Sequence, residues 1–230
     1  MSWRLASRGD HRLRFLYILL SLLALGLITT ANRLGARGLQ AVSGDRLLWL
    51  AGLCVPSFVV CTVLYLGVRP ERPFAGPRVN APWPRMLRLS GAWLLVWLAA
   101  SAVAALVVGH WISYTTGVYS ILCFVLIGPL QEELLYRGAL FELAQRVWPS
   151  TRFWGPVIAT TIPFALQHFQ FHGYQLSRPA LLQVGFTIPM GLVFGSLRSL
   201  SGSIWPGFVV HVLTNLPGAF GCGALSGDCA

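Results

Sequence analysis

Two adjacent carboxylates and an arginine, Glu132, Glu133 and Arg137, close an apolar run in a chain of which only 10% of 230 residues are charged. Ionised groups in such a setting are costly to desolvate and are kept where they do chemistry. On a helix, residues four apart share a face, so Arg137 can pair with Glu133 and offset its burial. Glu132 is rotated from Glu133 by about 100° and points another way. That leaves Glu132 as the carboxylate open to solvent or substrate, a position suited to a general base.

Two further pairs have the same spacing. Phe164 and His168 share a helix face, where an aromatic one turn from a histidine can wall a pocket or orient the ring. His211 and Asn215 aim an imidazole and a carboxamide at a common point, and such a pair can donate to an oxyanion. Each pair alone recurs by chance in helical proteins. Taken singly, a solvated interfacial glutamate pair and a satisfied core histidine are the plainer readings. Three ionisable sites on three late helices are harder to set aside.

The elements that must position these residues are apolar. The chain is 55% hydrophobic with a mean hydropathy of +0.66, and stretches near bilayer-spanning length recur along it. This predicts an all-α, polytopic helical membrane protein, because too little polar surface remains to cover a soluble domain. Helices are expected near 13–34, 47–68, 87–109, 116–147, 153–170, 179–198 and 204–221, seven spans around a membrane-embedded cavity. The net charge of +10 comes entirely from arginine. The arginines gather in loops beside apolar runs and do not line one helix face, which excludes a nucleic-acid surface. With the N-terminus inside, thirteen arginines fall on the cytoplasmic side and only Arg33, Arg37, Arg46 and Arg178 outside, as the positive-inside rule requires.

The first apolar stretch, Phe15 to Thr30, outruns a signal core and lacks an A-x-A site, so it reads as a retained anchor. Arg69 to Arg88 holds five prolines and five arginines, a composition that cannot continue a helix and has little to bury. The chain thus divides into an N-terminal helix pair with its basic, proline-rich cytoplasmic linker (1–86), a core (87–221) and a short tail (222–230). Cys54, Cys61 and Cys123 lie within apolar spans as small hydrophobes. Cys222 and Cys229 share the outer tail, where a disulfide can form in an oxidising compartment.

The ordered set E-E-x-x-x-R at Glu132, Glu133 and Arg137, F-x-x-x-H at Phe164 and His168, and H-x-x-x-N at His211 and Asn215 resembles the CAAX-protease and bacteriocin-processing family (CPBP, also called Abi) of intramembrane endopeptidases. The resemblance covers roughly residues 87–221, and the family pattern leaves room for an eighth helix. It implies glutamate-dependent hydrolysis of a peptide bond in a water-accessible cavity within the membrane. Carried over, Glu132 and His168 would activate water, and His211 and Asn215 would stabilise the oxyanion. Glu133, Arg137 and Phe164 would be structural support.

Metal-independent hydrolysis with no cofactor is expected, with zinc as the alternative, since the family the chain resembles has often been described as metalloproteases. Glu132, His168 and His211 are adequate ligands for zinc, although the sequence lacks H-E-x-x-H. A different class, a membrane transporter or proton relay, uses the same residue types. That class fits an inverted repeat; Pro163, Pro189 and Gly191 can interrupt two helices, but no matching half is present. An idle membrane scaffold is the third class, and it has no need of the intact polar set. The expected partners are the lipid bilayer and a membrane-anchored or exported protein substrate, lipidated or bearing a C-terminal sorting tail. The lysine-free, arginine-rich composition points to a bacterial inner membrane.

Overall fold

The computed structural model describes residues 17–19, 46–68, 74–108, 122–149 and 153–220. Most of the expected first helix, the start of the fourth, linker residues 69–73 and the tail with Cys222 and Cys229 lie outside the described residues, as does the side chain of Cys123. No strand occurs among the described residues. In chain order the helices are α1 (Arg46–Gly67), α2 (Trp83–Val108), α3 (Gly128–Glu132), α4 (Phe141–Val147), α5 (Trp154–Gln167), α6 (Arg178–Ser201) and α7 (Trp205–Phe220). Wide π-helical turns, Leu122–Ile127 and Glu133–Leu140, flank α3 and join it to α4, and a 3-10 turn, His168–His172, extends α5.

Local sequence accounts for most boundaries. Helix α2 starts four residues before its expected start, because prolines in a first turn remove N–H groups that would be unpaired anyway. Helix α6 opens with Ser177, whose hydroxyl accepts from the Ala180 N–H at 3.4 Å, followed by Pro179. It closes at Gly202, whose φ of +70° only glycine adopts cheaply, with the Gly202 N–H donating to the Arg198 carbonyl at 2.9 Å. The expected uniform helix over 116–147 differs most. It is interrupted by π turns, which are rare in helices and frequent at functional sites.

The exterior is apolar and the interior carries the polar groups. Along α5, Trp154, Ile158, Ile162 and Leu166 are exposed, while Thr160, Thr161, Gln167 and, just beyond, His168 are buried. This inverts the pattern of a helix on a water-facing surface and suits a lipid exterior. The buried hydroxyls bond within their own helix, Thr160 to the Pro156 carbonyl at 2.9 Å and Thr161 to that of Val157 at 2.8 Å. Two described helices, Trp83–Val103 and Arg178–Ser201, are long and apolar enough to cross a membrane, and Cys54–Gly67 is a shorter apolar helix.

Close packing of α5 on α6 depends on two glycines one turn apart. A β-carbon on Gly191 would lie 2.8 Å from Thr161 and 3.2 Å from Phe164, and one on Gly195 would lie 3.1 Å from Val157. Small residues at this spacing let helix backbones approach where lipid supplies no hydrophobic drive. Pro163 lacks the N–H that would bond the Ala159 carbonyl. The Tyr17 hydroxyl donates to that carbonyl at 2.7 Å, and its ring packs edge-on against Trp148.

The linker departs from expectation. Residues 74–82, read as having little to bury, are docked on the turn between α6 and α7. The Arg78 N–H donates to the Ser201 carbonyl at 2.9 Å, the Ser203 hydroxyl to the Ala75 carbonyl at 2.7 Å, and the Trp205 indole to the Phe74 carbonyl at 2.9 Å. The side chain of Phe74, at a φ of +59°, meets the Tyr65 ring edge-on at 5.4 Å. Prolines keep this segment extended, and its carbonyls are then taken by side chains of the core. Cys54 and Cys61 are buried on α1, as expected.

Candidate active site

The site is built around one aromatic ring. Phe164, fully buried on α5, meets His168 at 5.1 Å, His211 at 6.0 Å and Tyr136 at 5.4 Å between ring centroids, each edge to face. The Arg137 guanidinium lies over it at 4.2 Å from the centroid. A buried cation over an aromatic face is held by the ring quadrupole, which is strongest where water is absent. Phe194 of α6 adds a second face, 5.3 Å from the same guanidinium.

Arg137 reaches back one turn to Glu133, with Nη1 3.3 Å from Oε1, and both side chains are wholly buried. The guanidinium also donates to the Gly191 carbonyl at 3.3 Å. Such a pair holds its charges only because each partner compensates the other. Glu133 Oε2 is buried without a hydrogen-bond partner among the described residues. It lies where a β-carbon on Gly207 would come within 2.7 Å. Helix α7 can approach the carboxylate only because residue 207 has no side chain.

The two glutamates do not diverge as helix rotation predicted. Both reach His211. Glu133 Oε1 is 3.3 Å from Nδ1, and Glu132 Oε2 is 3.5 Å from Nε2. Widening of the helix from Glu133 onward accompanies this convergence, which an ideal α-helix would not give. The carboxylates still differ in access, since the Glu132 side chain is 13% exposed and that of Glu133 is 0%. Phe194 packs on His211 at 4.7 Å with a tilt of 34°, a second ring against the imidazole beside Phe164's edge contact.

His168 sits where α5 tightens into its 3-10 turn, its Nδ1 2.9 Å from the Phe164 carbonyl. Glu132, His211 and Arg137 all lie within electrostatic range of this ring. Its neighbour Gln167 accepts a hydrogen bond from the buried Tyr136 hydroxyl, which ties the His168 turn to the π-helical segment. Asn215, one turn beyond His211, donates from Nδ2 to the Phe124 carbonyl at 3.1 Å. Sequence reading missed Phe194, Gly207, Tyr136 and Gln167. Only Phe194, between Gly191 and Gly195 on a helix of small residues, carried any signal.

Zinc would need Glu132, His168 and His211 to converge. Among the described residues no three His, Cys, Asp or Glu side chains lie so as to hold one metal ion. The donor set as it stands does not fit that ion.

Residues 113–217 match the family described as Rce1-like, type II CAAX prenyl endopeptidase. The matched stretch contains all three motif pairs, so the family read from them is the family of this segment. These are membrane proteases, in keeping with the apolar helices. No curated protein and no solved structure matches the chain.

Proposed function

Taking residues 113–217 as the core of a CAAX-type endopeptidase, we propose that the protein hydrolyses a peptide bond of a membrane-associated protein, near its C-terminus, with Glu132 as general base. The observation that carries this reading is the placement of Glu132 Oε2 3.5 Å from His211 Nε2, backed by the buried Glu133–Arg137 pair. Glu132 takes a proton from a water that His168 helps to hold. The resulting hydroxide bonds to the scissile carbonyl carbon, and the carbonyl electron pair moves onto oxygen. His211 and Asn215 donate to that oxyanion, a contribution felt most in the transition state. Collapse of the intermediate breaks the C–N bond, and the leaving amine receives the proton from Glu132.

The remaining residues hold this arrangement. Glu133 and Arg137 supply a fixed charge pair behind His211, and Phe164 spaces the two imidazoles. The Phe124 carbonyl, by accepting from Asn215, sets the plane of the amide. No step runs through a metal. The substrate in this reading is a bacterial membrane-anchored protein or an exported protein with a C-terminal sorting tail, cleaved at an inner membrane in which the N-terminus faces the cytoplasm.

The test compares membrane peptides from cells carrying wild-type protein or Glu132→Ala. A processed C-terminus should appear with the wild type and vanish with the variant; identical peptide pools would overturn the assignment. For the purified enzyme, turnover should persist in EDTA. Loss in EDTA with recovery on adding Zn²⁺ would replace the glutamate mechanism with a zinc one.

A further inference from the structure

Helix α2 lies wholly outside the family-matched residues, yet it grips the turn that carries Asn215. The Trp93 indole N–H donates to the Thr214 hydroxyl at 3.0 Å, and the Trp97 indole N–H, one turn on, donates to the Thr214 carbonyl at 2.6 Å. The same hydroxyl donates to the Val210 carbonyl at 2.8 Å, so both its hydrogen-bonding roles are used. Phe186 of α6 packs against both indoles, 5.6 Å from Trp93 and 4.4 Å from Trp97, which fixes the rings. Thr214 and Trp93 are buried.

From this geometry we infer that Trp93 and Trp97 are positioning residues for the reaction proposed above, acting through Thr214 on the adjacent Asn215. The inference rests on Asn215 being an oxyanion donor. Thr214 immediately precedes Asn215 and follows His211 by three residues, so two bonds at Thr214 set the rotation of α7 just where its polar pair projects. Pro217 sits in the same turn and removes one rung of the helix's own ladder. The rung lost there is the one to the Leu213 carbonyl, and the indoles add their restraint from outside the helix at the next residue, Thr214. An oxyanion donor displaced by a fraction of an ångström loses transition-state contact before it loses substrate binding.

The experiment uses full-length protein in vesicles of phosphatidylethanolamine and phosphatidylglycerol. The substrate is a quenched-fluorescent peptide whose cysteine, fourth from the C-terminus, is farnesylated. Trp93→Phe, Trp97→Phe and Thr214→Val should each lower kcat by roughly five- to fiftyfold with KM unchanged, the scale expected for misplacing one catalytic donor. Trp93→Phe and Thr214→Val remove the same bond, so the double variant should match the singles and not multiply them. Leu95→Ala, on the exposed face of α2, should leave kcat at the wild-type value.

A second readout needs no substrate. The chain has three asparagines, Asn32, Asn80 and Asn215, so ¹⁵N-asparagine labelling resolves the Asn215 amide by NMR. Its side-chain resonance should move in both Trp variants and stay in place in Leu95→Ala. Wild-type kcat in the folded Trp variants, or an unmoved Asn215 resonance, would overturn the inference. If Asn215→Ala abolishes turnover while the Trp variants keep it, only the clamp fails. If Asn215→Ala keeps full turnover, the oxyanion role itself fails.

Discussion

Helices α2 and α6 are the two described segments long and apolar enough to span a bilayer, yet they are built for opposite purposes. In α2 only 11% of the spanning window is buried, against 44% in α6. Helix α2 turns Leu87, Leu95, Val96 and Leu106 outward and keeps Trp93 and Trp97 for inward contacts with Thr214 and Phe186. Helix α6 places glycines against α5 and Phe194 between His211 and Arg137. Hydropathy scores them alike because it counts how apolar a residue is and not what lies against it. The difference resides in side-chain volume at inward positions.

Removing Phe194 should break the contrast most severely. Phe194→Ala takes a fully buried ring from between a cation and an imidazole, and should cost about 3–5 kcal/mol, read as lost thermal stability in detergent. A variant as stable as the wild type would mean that α6 packs no more tightly than α2. Gly207→Ala is a smaller and more local change. Its methyl group would press on Glu133 Oε2, so turnover should fall roughly tenfold while the melting curve stays near wild type.

Weaker still is Tyr17→Phe. Losing the hydroxyl leaves the Ala159 carbonyl without its donor and should cost about 1 kcal/mol, measurable by denaturation of the reconstituted protein. At the far end, Leu95→Ala on the lipid-facing side of α2 should change stability by no more than about 0.5 kcal/mol. A larger effect would place a partner on that face and narrow the gap between the two helices.

Much of this was legible in the sequence, and what was not follows a physical pattern. Helix positions could be read because apolar length is a property of each segment alone, and α1, α2, α5, α6 and α7 start within four residues of expectation. The i,i+4 pairs Glu133–Arg137 and Phe164–His168 could be read because one turn of helix brings both partners together. The convergence of Glu132 and Glu133 on His211 could not, since it accompanies a local widening that no residue type announces. Gly207 was missed for a related reason: its role is an absence of atoms, visible only once α7 is laid beside Glu133. Docking of residues 74–82 escaped because its acceptors are main-chain carbonyls, identical at every position of the chain.

That docked strap has a mechanical consequence. Phe74 and Ala75 are held by Trp205 and Ser203, and Trp205 begins the helix whose first two turns bear Gly207 and His211. Severing the backbone between Ala75 and Arg78 would part the contacts made to Ser203 and Trp205 from the one made to Ser201. The proline-rich stretch therefore braces the end of α6 and the start of α7 together, close in the chain to Gly207 and the Glu133 carboxylate that it admits.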